Sequence, residues 1–208
     1  MLITVSGMVG SGKTTIVREI VTFAAAHGIA ARAHRFQSLP CISFRLRPSQ
    51  RARNAESQDA TKAPAPASPR WSGYTRKRLT AAAVVVFIVR IVAFRVYRRT
   101  LWRAAEWHVL NRYFYDSLCH YQPRSSVERL YYAIVTASIP RPDVAILVTA
   151  GLDTIHARRP EYAREYVELV GESYARVAAD IPGLIALSTE PGEPTVERLI
   201  ALVQARLG

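Results

Sequence analysis

The most informative stretch of the chain is Gly7-Met8-Val9-Gly10-Ser11-Gly12-Lys13-Thr14-Thr15. Its first eight residues match the pattern G-x-x-x-x-G-K-[ST] at every fixed position. The β-branched run 2–5 before it predicts a short buried strand, and apolar residues at helical spacing over 16–26 predict a helix that ends near Gly28. This pattern indicates a phosphate-binding loop when, as here, it connects a predicted strand to a predicted helix.

The loop 7–15 is therefore predicted to be a P-loop that binds the phosphates of a nucleoside triphosphate. Glycines let the backbone pass close to phosphate groups and point its N–H groups at them, and the helix N-terminus adds a positive dipole. We expect Lys13 to reach the β- and γ-phosphates and the Thr14 hydroxyl to bind Mg²⁺. The predicted cofactors are ATP and Mg²⁺, and the predicted nucleotide-binding residues are Gly7, Met8, Val9, Gly10, Ser11, Gly12, Lys13, Thr14 and Thr15. The alternative, a glycine-rich turn without a nucleotide, does not explain the flanking strand and helix.

Strand-like and helix-like segments alternate along the rest of the chain. An uncharged run after Pro142-Asp143 is typical of a central parallel strand. The predicted strands are 2–5, 29–36, 107–110, 144–148 and 184–187, and the later helices are 117–121, 153–179 with a break near Pro160, and 195–207. The alternation predicts an α/β P-loop NTPase fold of three layers, with a parallel five-stranded sheet and helices on both faces. We expect one kinase-like domain over residues 1–208.

The region between the second and third strands is the least regular part of the sequence. Segment 48–73 has four prolines and almost no apolar residues before Trp71, which predicts a disordered insertion. Segment 79–101 is apolar but contains four arginines. A long buried helix is the favoured interpretation, and a helix lying on an anionic membrane surface is the main alternative. Only 79–89 is free of charge, which is short for a membrane span.

The chain has a net charge of +12, which favours phosphate-bearing partners. Basic residues between 45 and 53 and between 76 and 78 come without a nucleic-acid recognition motif, so we do not expect nucleic acid as a partner. Cys41 and Cys119 fit no metal or redox pattern, and the five histidines show no metal spacing. Two reduced thiols and no visible secretory signal lead us to expect a cytoplasmic protein.

Three stretches of the chain carry a family resemblance. They are the loop 7–15, the run Asn111-Arg112-Tyr113-Phe114-Tyr115-Asp116-Ser117-Leu118-Cys119-His120-Tyr121-Gln122, and the run from Pro142-Asp143 to Arg159. In order and spacing they resemble the thymidylate kinase-like family of nucleoside monophosphate kinases. The resemblance implies a phosphotransferase that uses Mg-ATP. It also implies that Arg112 holds the acceptor phosphate and that Arg158 and Arg159 lie in a lid over ATP.

Phosphoryl transfer requires positive groups around the developing charge, so the predicted catalytic residues are Lys13, Arg112, Arg158 and Arg159. A solvated basic helix end is the alternative interpretation of Arg158 and Arg159. Tyr113, Tyr115, Tyr121, Tyr131 and Tyr132 are interpreted mainly as core residues, with stacking on a base or sugar as the alternative.

The sequence also departs from the resembled family in three places. Val9 and Asn111 stand where the family usually has acidic residues, and 35–40 replaces its Arg-Glu-Pro-Gly segment. These losses argue against thymidylate as the acceptor but leave ATP binding intact. Asp116 either supplies the missing carboxylate or caps a helix just before Ser117.

The favoured function is transfer of the ATP γ-phosphate to a nucleoside monophosphate or a similar small phosphorylated acceptor. The alternatives are an ATP-binding pseudokinase or switch, and a P-loop protein that works at a membrane surface through 79–101. A homodimer is left open.

Overall fold

The computed structural model describes residues 1–43, 77–102 and 105–205. The predicted insertion at 48–73 lies outside these residues, as do most of the basic residues between 45 and 78. The described residues form a parallel sheet of five strands, with the spatial order β2-β3-β1-β4-β5. The strands are β1 (Leu2–Gly7), β2 (Ala31–Arg35), β3 (Trp107–Asn111), β4 (Val144–Thr149) and β5 (Leu184–Ser188).

Helices connect the strands. They are α1 (Lys13–Ala26), α2 (Ala81–Leu101), α3 (Phe114–Leu118), α4 (Ser126–Ser138), α5 (Leu152–Arg158), α6 (Arg164–Asp180) and α7 (Thr195–Gln204). A 3₁₀ turn, Phe36–Ser38, follows β2. The predicted break near Pro160 separates α5 from α6. The helix predicted over 117–121 instead covers Phe114–Leu118.

Two apolar cores lie on opposite faces of the sheet, because successive side chains of each buried strand point to opposite sides. Ile3 and Val5 of β1 pack with α1 and α7 on one face. Leu2, one position before Ile3 and therefore on the opposite side of the strand, packs with the aromatic core under α2, α3, α4 and α6 on the other face. The α/β fold with a parallel five-stranded sheet and helices on both faces is confirmed.

Helix α2 differs from the predicted long buried helix, because only one of its faces is buried. Phe87, Ile91 and Phe94 are 5%, 2% and 0% exposed and belong to the aromatic core. The opposite face carries large apolar side chains at 53–60% exposure, namely Val85, Val89, Val92 and Val96. Helix α2 therefore carries more apolar side chains than its packing against the aromatic core buries. No helix of the described residues is long and apolar enough to cross a membrane.

Candidate functional site

The P-loop lies between β1 and α1, at the carboxyl end of the sheet. Gly7, Gly10 and Gly12 have φ angles of 142°, 84° and 88°, a region that side chains disfavour. A Cβ atom added to Gly7 would collide with the Val148 carbonyl oxygen of β4, and one added to Gly10 would lie 3.1 Å from Arg159 Cγ. The glycines are therefore required both for backbone conformation and for close approach of neighbouring segments.

Lys13 is the first residue of α1 and is buried, with 7% of its surface exposed. Its Nζ donates a hydrogen bond to the Met8 carbonyl oxygen within the loop. Burial lowers the pKa of Lys13 to about 8; Asp116 opposes this shift, whereas Arg112 and Arg159 add to it. The loop thus holds a desolvated ammonium group among other cations, an arrangement that a polyanion would stabilise.

A cavity of about 600 Å³, here called the P-loop cavity, opens in front of this loop. All four predicted catalytic residues line it. The full lining is Val9, Gly10, Gly12, Lys13, Thr14, Thr15, Arg35, Gln37, Asn111, Arg112, Arg158 and Arg159. Five of these residues are basic, and none of the described lining residues is acidic, so the cavity has the electrostatic character of an anion site.

Arg158 and Arg159 reach the cavity from the end of α5. Arg158 Nη1 donates to the Gly10 carbonyl oxygen at 3.2 Å, and its Nη2 donates to the Thr189 carbonyl oxygen at 3.0 Å. The Thr189 hydroxyl donates to the Ser11 carbonyl oxygen at 2.9 Å. Arg158 and Thr189 therefore join the P-loop to the connection after β5. Sequence reasoning missed Thr189, for which no local motif exists.

Arg112 follows β3 and has a φ of 74°, the only positive φ among the described non-glycine residues. Such a conformation costs of order 1–3 kcal/mol and persists where surrounding contacts impose it. The Arg112 N–H donates to the Val5 carbonyl oxygen at 2.9 Å, which ties the residue to β1. Strained backbone of this kind concentrates at functional sites.

Asp116 lies in the first turn of α3 and is 3% exposed. Its Oδ2 accepts from the Tyr113 N–H at 2.9 Å, which closes the start of the helix. The interpretation as a cap just before Ser117 is wrong in position, because α3 begins at Phe114 and Tyr113 occupies the N-cap. Oδ1 faces inward and accepts from the Tyr174 hydroxyl at 2.7 Å, the Gly7 N–H at 3.4 Å and Arg112 at 3.5 Å.

A second cavity of about 470 Å³, here called the aromatic cavity, shares Gln37 and Arg112 with the P-loop cavity and so adjoins it. Phe87 and Tyr121 contribute rings whose centroids are 5.7 Å apart. The remaining lining residues are Lys77, Ala82, Ala83, Val86, Arg90, Asp116, Ser117 and His120. The cavity combines an aromatic wall with cations, neutral polar groups and the carboxylate of Asp116. Phe87, Arg90 and Gln37 were not singled out from the sequence.

Three of the five tyrosines near this region are buried core residues, which is the interpretation that the sequence favours. Tyr113, Tyr115 and Tyr132 are buried in the aromatic core, and burial raises the pKa of Tyr115 to about 12. Tyr121 lines the aromatic cavity, and Tyr131 is partly buried against the core. Core packing is the main role of the group, and Tyr121 is the member available to a ligand.

Thr14 and Asn111 supply neutral oxygen atoms to the P-loop cavity. Such oxygen donors fit Mg²⁺, which keeps several waters and takes further ligands from phosphates. In the described ranges no group of three or more His, Cys, Asp or Glu residues is arranged to hold a metal on its own. The residues present therefore fit a metal that arrives with a nucleotide.

Comparisons with known proteins identify the fold. No protein family model matches the chain, and no curated protein sequence matches it. Among solved structures, it is similar to thymidylate kinase from Candida albicans, described for its broad substrate specificity, with a TM-score of 0.60 and 14% identity. The match covers 99% of this chain and 92% of that one. The chain has a thymidylate kinase-like P-loop fold.

Proposed function

We propose that this protein is a kinase that transfers the γ-phosphate of Mg-ATP to a nucleoside monophosphate or a similar small phosphorylated acceptor. The observation that carries the proposal is the meeting of two cavities at Arg112. One cavity is cationic and contains the P-loop, whereas the other has an aromatic wall. Such a pair suits a phosphate donor and an aromatic phosphorylated acceptor placed in line.

On the donor side, the backbone N–H groups of the P-loop and the start of α1 would hold the triphosphate. Lys13 would bridge the β- and γ-phosphates, and ATP would relieve its unfavourable burial among cations. Thr14, assisted by Asn111, would hold Mg²⁺, which when bound neutralises charge between the β- and γ-phosphates. This chemistry needs no carboxylate at Val9.

In the transfer step, the acceptor phosphate oxygen attacks the γ-phosphorus while the bond to the β-phosphate oxygen breaks. Arg112 would hold the acceptor phosphate at the boundary of the cavities, and Arg158 and Arg159 would stabilise charge on the transferring group. These three guanidinium groups would also displace water from the reacting phosphates, which disfavours ATP hydrolysis.

The aromatic cavity indicates the class of acceptor. Phe87 and Tyr121 offer surfaces for a planar base, and Arg90 and Gln37 offer hydrogen-bond donors for its polar edge. The replacement of the family's acidic residues by Val9 and Asn111 argues against thymidylate itself. We therefore propose another nucleoside monophosphate as the acceptor, in the cytoplasm where ATP is available.

The direct test is ADP release with a panel of purine and pyrimidine nucleoside monophosphates. We expect at least one of them to raise ADP release well above the rate without acceptor, and Arg112→Ala to lower the stimulated rate strongly at the same acceptor concentration. ATP binding without stimulation by any acceptor would instead favour the alternative, a pseudokinase or nucleotide-dependent switch.

One surface favours a second proposal, membrane attachment. The α2–α4 face, defined by Val85, Val89, Val92, Val96, Val127, Leu130 and Ile134, exposes seven large apolar side chains on two helices that pack together. Helix α2 carries four arginines and no acidic residue. Apolar bulk beside arginine complements an anionic lipid surface, whereas two copies of a chain with charge +12 repel each other.

Cosedimentation with vesicles of phosphatidylserine and phosphatidylcholine tests this attachment. We expect binding at low salt that Val89→Asp and Leu130→Asp abolish. Val196→Asp, on α7 at the other sheet face, is the matched control and should still bind. Absence of binding by the unmodified protein would remove the proposal, and a dimer in sedimentation velocity that Leu130→Asp dissociates would assign the face to a second copy.

A further inference from the structure

Asp116 is the only acid among the described residues that line the two cavities. Its carboxylate is buried, and its partners come from separate parts of the chain. They are the Gly7 N–H at the start of the P-loop, the Tyr113 N–H, the Arg112 guanidinium and the Tyr174 hydroxyl of α6. Capping of α3 uses only Oδ2, so it does not account for the three contacts of Oδ1.

These contacts also limit what Asp116 can do. Three donors point at Oδ1 and one at Oδ2, so both carboxylate oxygens are already engaged by groups of the chain. These contacts favour a role for Asp116 in holding other groups over one as a metal ligand or proton acceptor.

Arg112 depends on Asp116 in two ways. Its side chain, which is 29% exposed, pairs with Oδ1 at 3.5 Å, while the next backbone N–H, that of Tyr113, donates to Oδ2. The strained φ of 74° is thus fixed by Val5 on one side and by Asp116 on the other. The Gly7 contact places the same carboxylate against the P-loop.

We propose that Asp116 is a positioning residue that fixes the Arg112 guanidinium relative to the P-loop, with Tyr174 holding the carboxylate in place. The inference rests on the proposed function, because Arg112 is taken to hold the acceptor phosphate. A buried charge partner limits the orientations of a guanidinium, so its removal weakens acceptor binding more than ATP binding.

The test is a double-mutant cycle on the KM of the acceptor, with Asp116→Asn, Arg112→Ala and the double variant. We expect Asp116→Asn to raise this KM about tenfold and to leave the KM of ATP within about threefold. The double variant should be no worse than Arg112→Ala alone. Independent effects that multiply in the double variant would overturn the proposal, because a merely structural role predicts them.

Tyr174→Phe keeps the carboxylate of Asp116 and removes one of its hydrogen-bond donors, the Tyr174 hydroxyl. It should shift the acceptor KM in the same direction by a smaller factor, and it replaces Asp116→Asn in the cycle if that variant does not fold. An unchanged acceptor KM in Tyr174→Phe would overturn the role assigned to Tyr174.

A second readout separates this proposal from the proposed function. If no nucleoside monophosphate stimulates the unmodified protein, the proposed function fails. Inorganic phosphate is then titrated calorimetrically into protein holding β,γ-imido-ATP, again through the cycle. Weaker phosphate binding in both single variants, with no further loss in the double variant, supports the positioning role. Equal phosphate binding by all four proteins, or none by the unmodified protein, overturns it.

Discussion

The P-loop region and the aromatic cavity reach their shapes by different routes. Every essential feature of the P-loop comes from adjacent residues, since Gly7, Gly10 and Gly12 permit its backbone and Lys13 begins the following helix. The aromatic cavity takes Gln37, Phe87 and Tyr121 from segments far apart in sequence. A phosphate site needs one backbone shape, which a local motif can encode, whereas a base-sized cavity depends on how helices pack.

The largest effect is expected from a substitution that impairs ATP binding at the P-loop and leaves the aromatic cavity intact. Lys13→Ala should weaken ATP binding about a hundredfold or more, because it removes the buried ammonium group that we propose contacts the phosphates. Calorimetric titration measures it. Thermal unfolding is the control, and it should show no loss of stability, because the substitution removes a desolvated charge. Unchanged ATP affinity would contradict the assignment of the loop.

The second-largest effect is expected from a substitution of Arg112, where the two cavities meet. Arg112→Ala should lower kcat/KM for the acceptor by about 10²–10³, because the charged contact at the acceptor phosphate is lost. The Kd of ATP should stay within about threefold, since Lys13 and the loop N–H groups remain. Steady-state kinetics with the stimulating acceptor measures it, and Arg129→Ala, at an exposed position of α4, serves as the control. An equal loss in ATP affinity would place Arg112 on the donor side.

The pH dependence of ATP affinity tests the role of Lys13 in the P-loop. The pKa of Lys13 is about 8 in the folded protein against 10.5 as its ordinary value, so the ammonium form is present below pH 8 and lost above it. ATP affinity should be constant below pH 8 and fall by up to about tenfold per unit above it. Lys13→Arg, charged throughout, should give a flat profile. A flat profile in the unmodified protein would contradict the lowered pKa.

The smallest effect concerns the aromatic wall. Phe87→Leu keeps most of the buried apolar volume but removes the ring that faces Tyr121. We expect the acceptor KM to rise about fivefold with the KM of ATP unchanged, because base–aromatic stacking is worth about 1–3 kcal/mol and is lost only in part. Val89→Ala, on the exposed face of the same helix, is the matched control. Equal KM values for both variants would remove Phe87 from the acceptor site.

The difference between locally encoded features and those built from distant segments also explains which parts of the structure were predictable from the sequence. The P-loop strand and helix, the central strand β4 and the positions of the five strands along the chain follow from local periodicity and glycine placement, and these predictions are confirmed. Helix α4 was not predicted from the sequence. The contacts of Asp116 with Tyr174 and of Arg158 with Thr189 join residues 58 and 31 positions apart. No local pattern encodes such pairs, so only the folded structure provides them.

Helix α2 shows a further limit of sequence reasoning. Its apolar residues occupy nearly its whole circumference, which predicts burial on every side. Among the described residues only the side with Phe87, Ile91 and Phe94 is covered, and the valine side remains exposed. Composition alone does not distinguish a core helix from one whose second face meets a membrane or a partner.

We propose that the P-loop cavity holds the phosphate donor and the aromatic cavity the acceptor, with Arg112 between them. The most direct measurement is transfer of label from γ-³²P-ATP to a panel of nucleoside monophosphates, with products separated and identified. We expect a labelled nucleoside diphosphate from the unmodified protein and at least about a hundredfold less of it from Arg112→Ala. ATP binding of normal affinity with label released only as inorganic phosphate, or with no label transferred to any acceptor, would contradict the proposal.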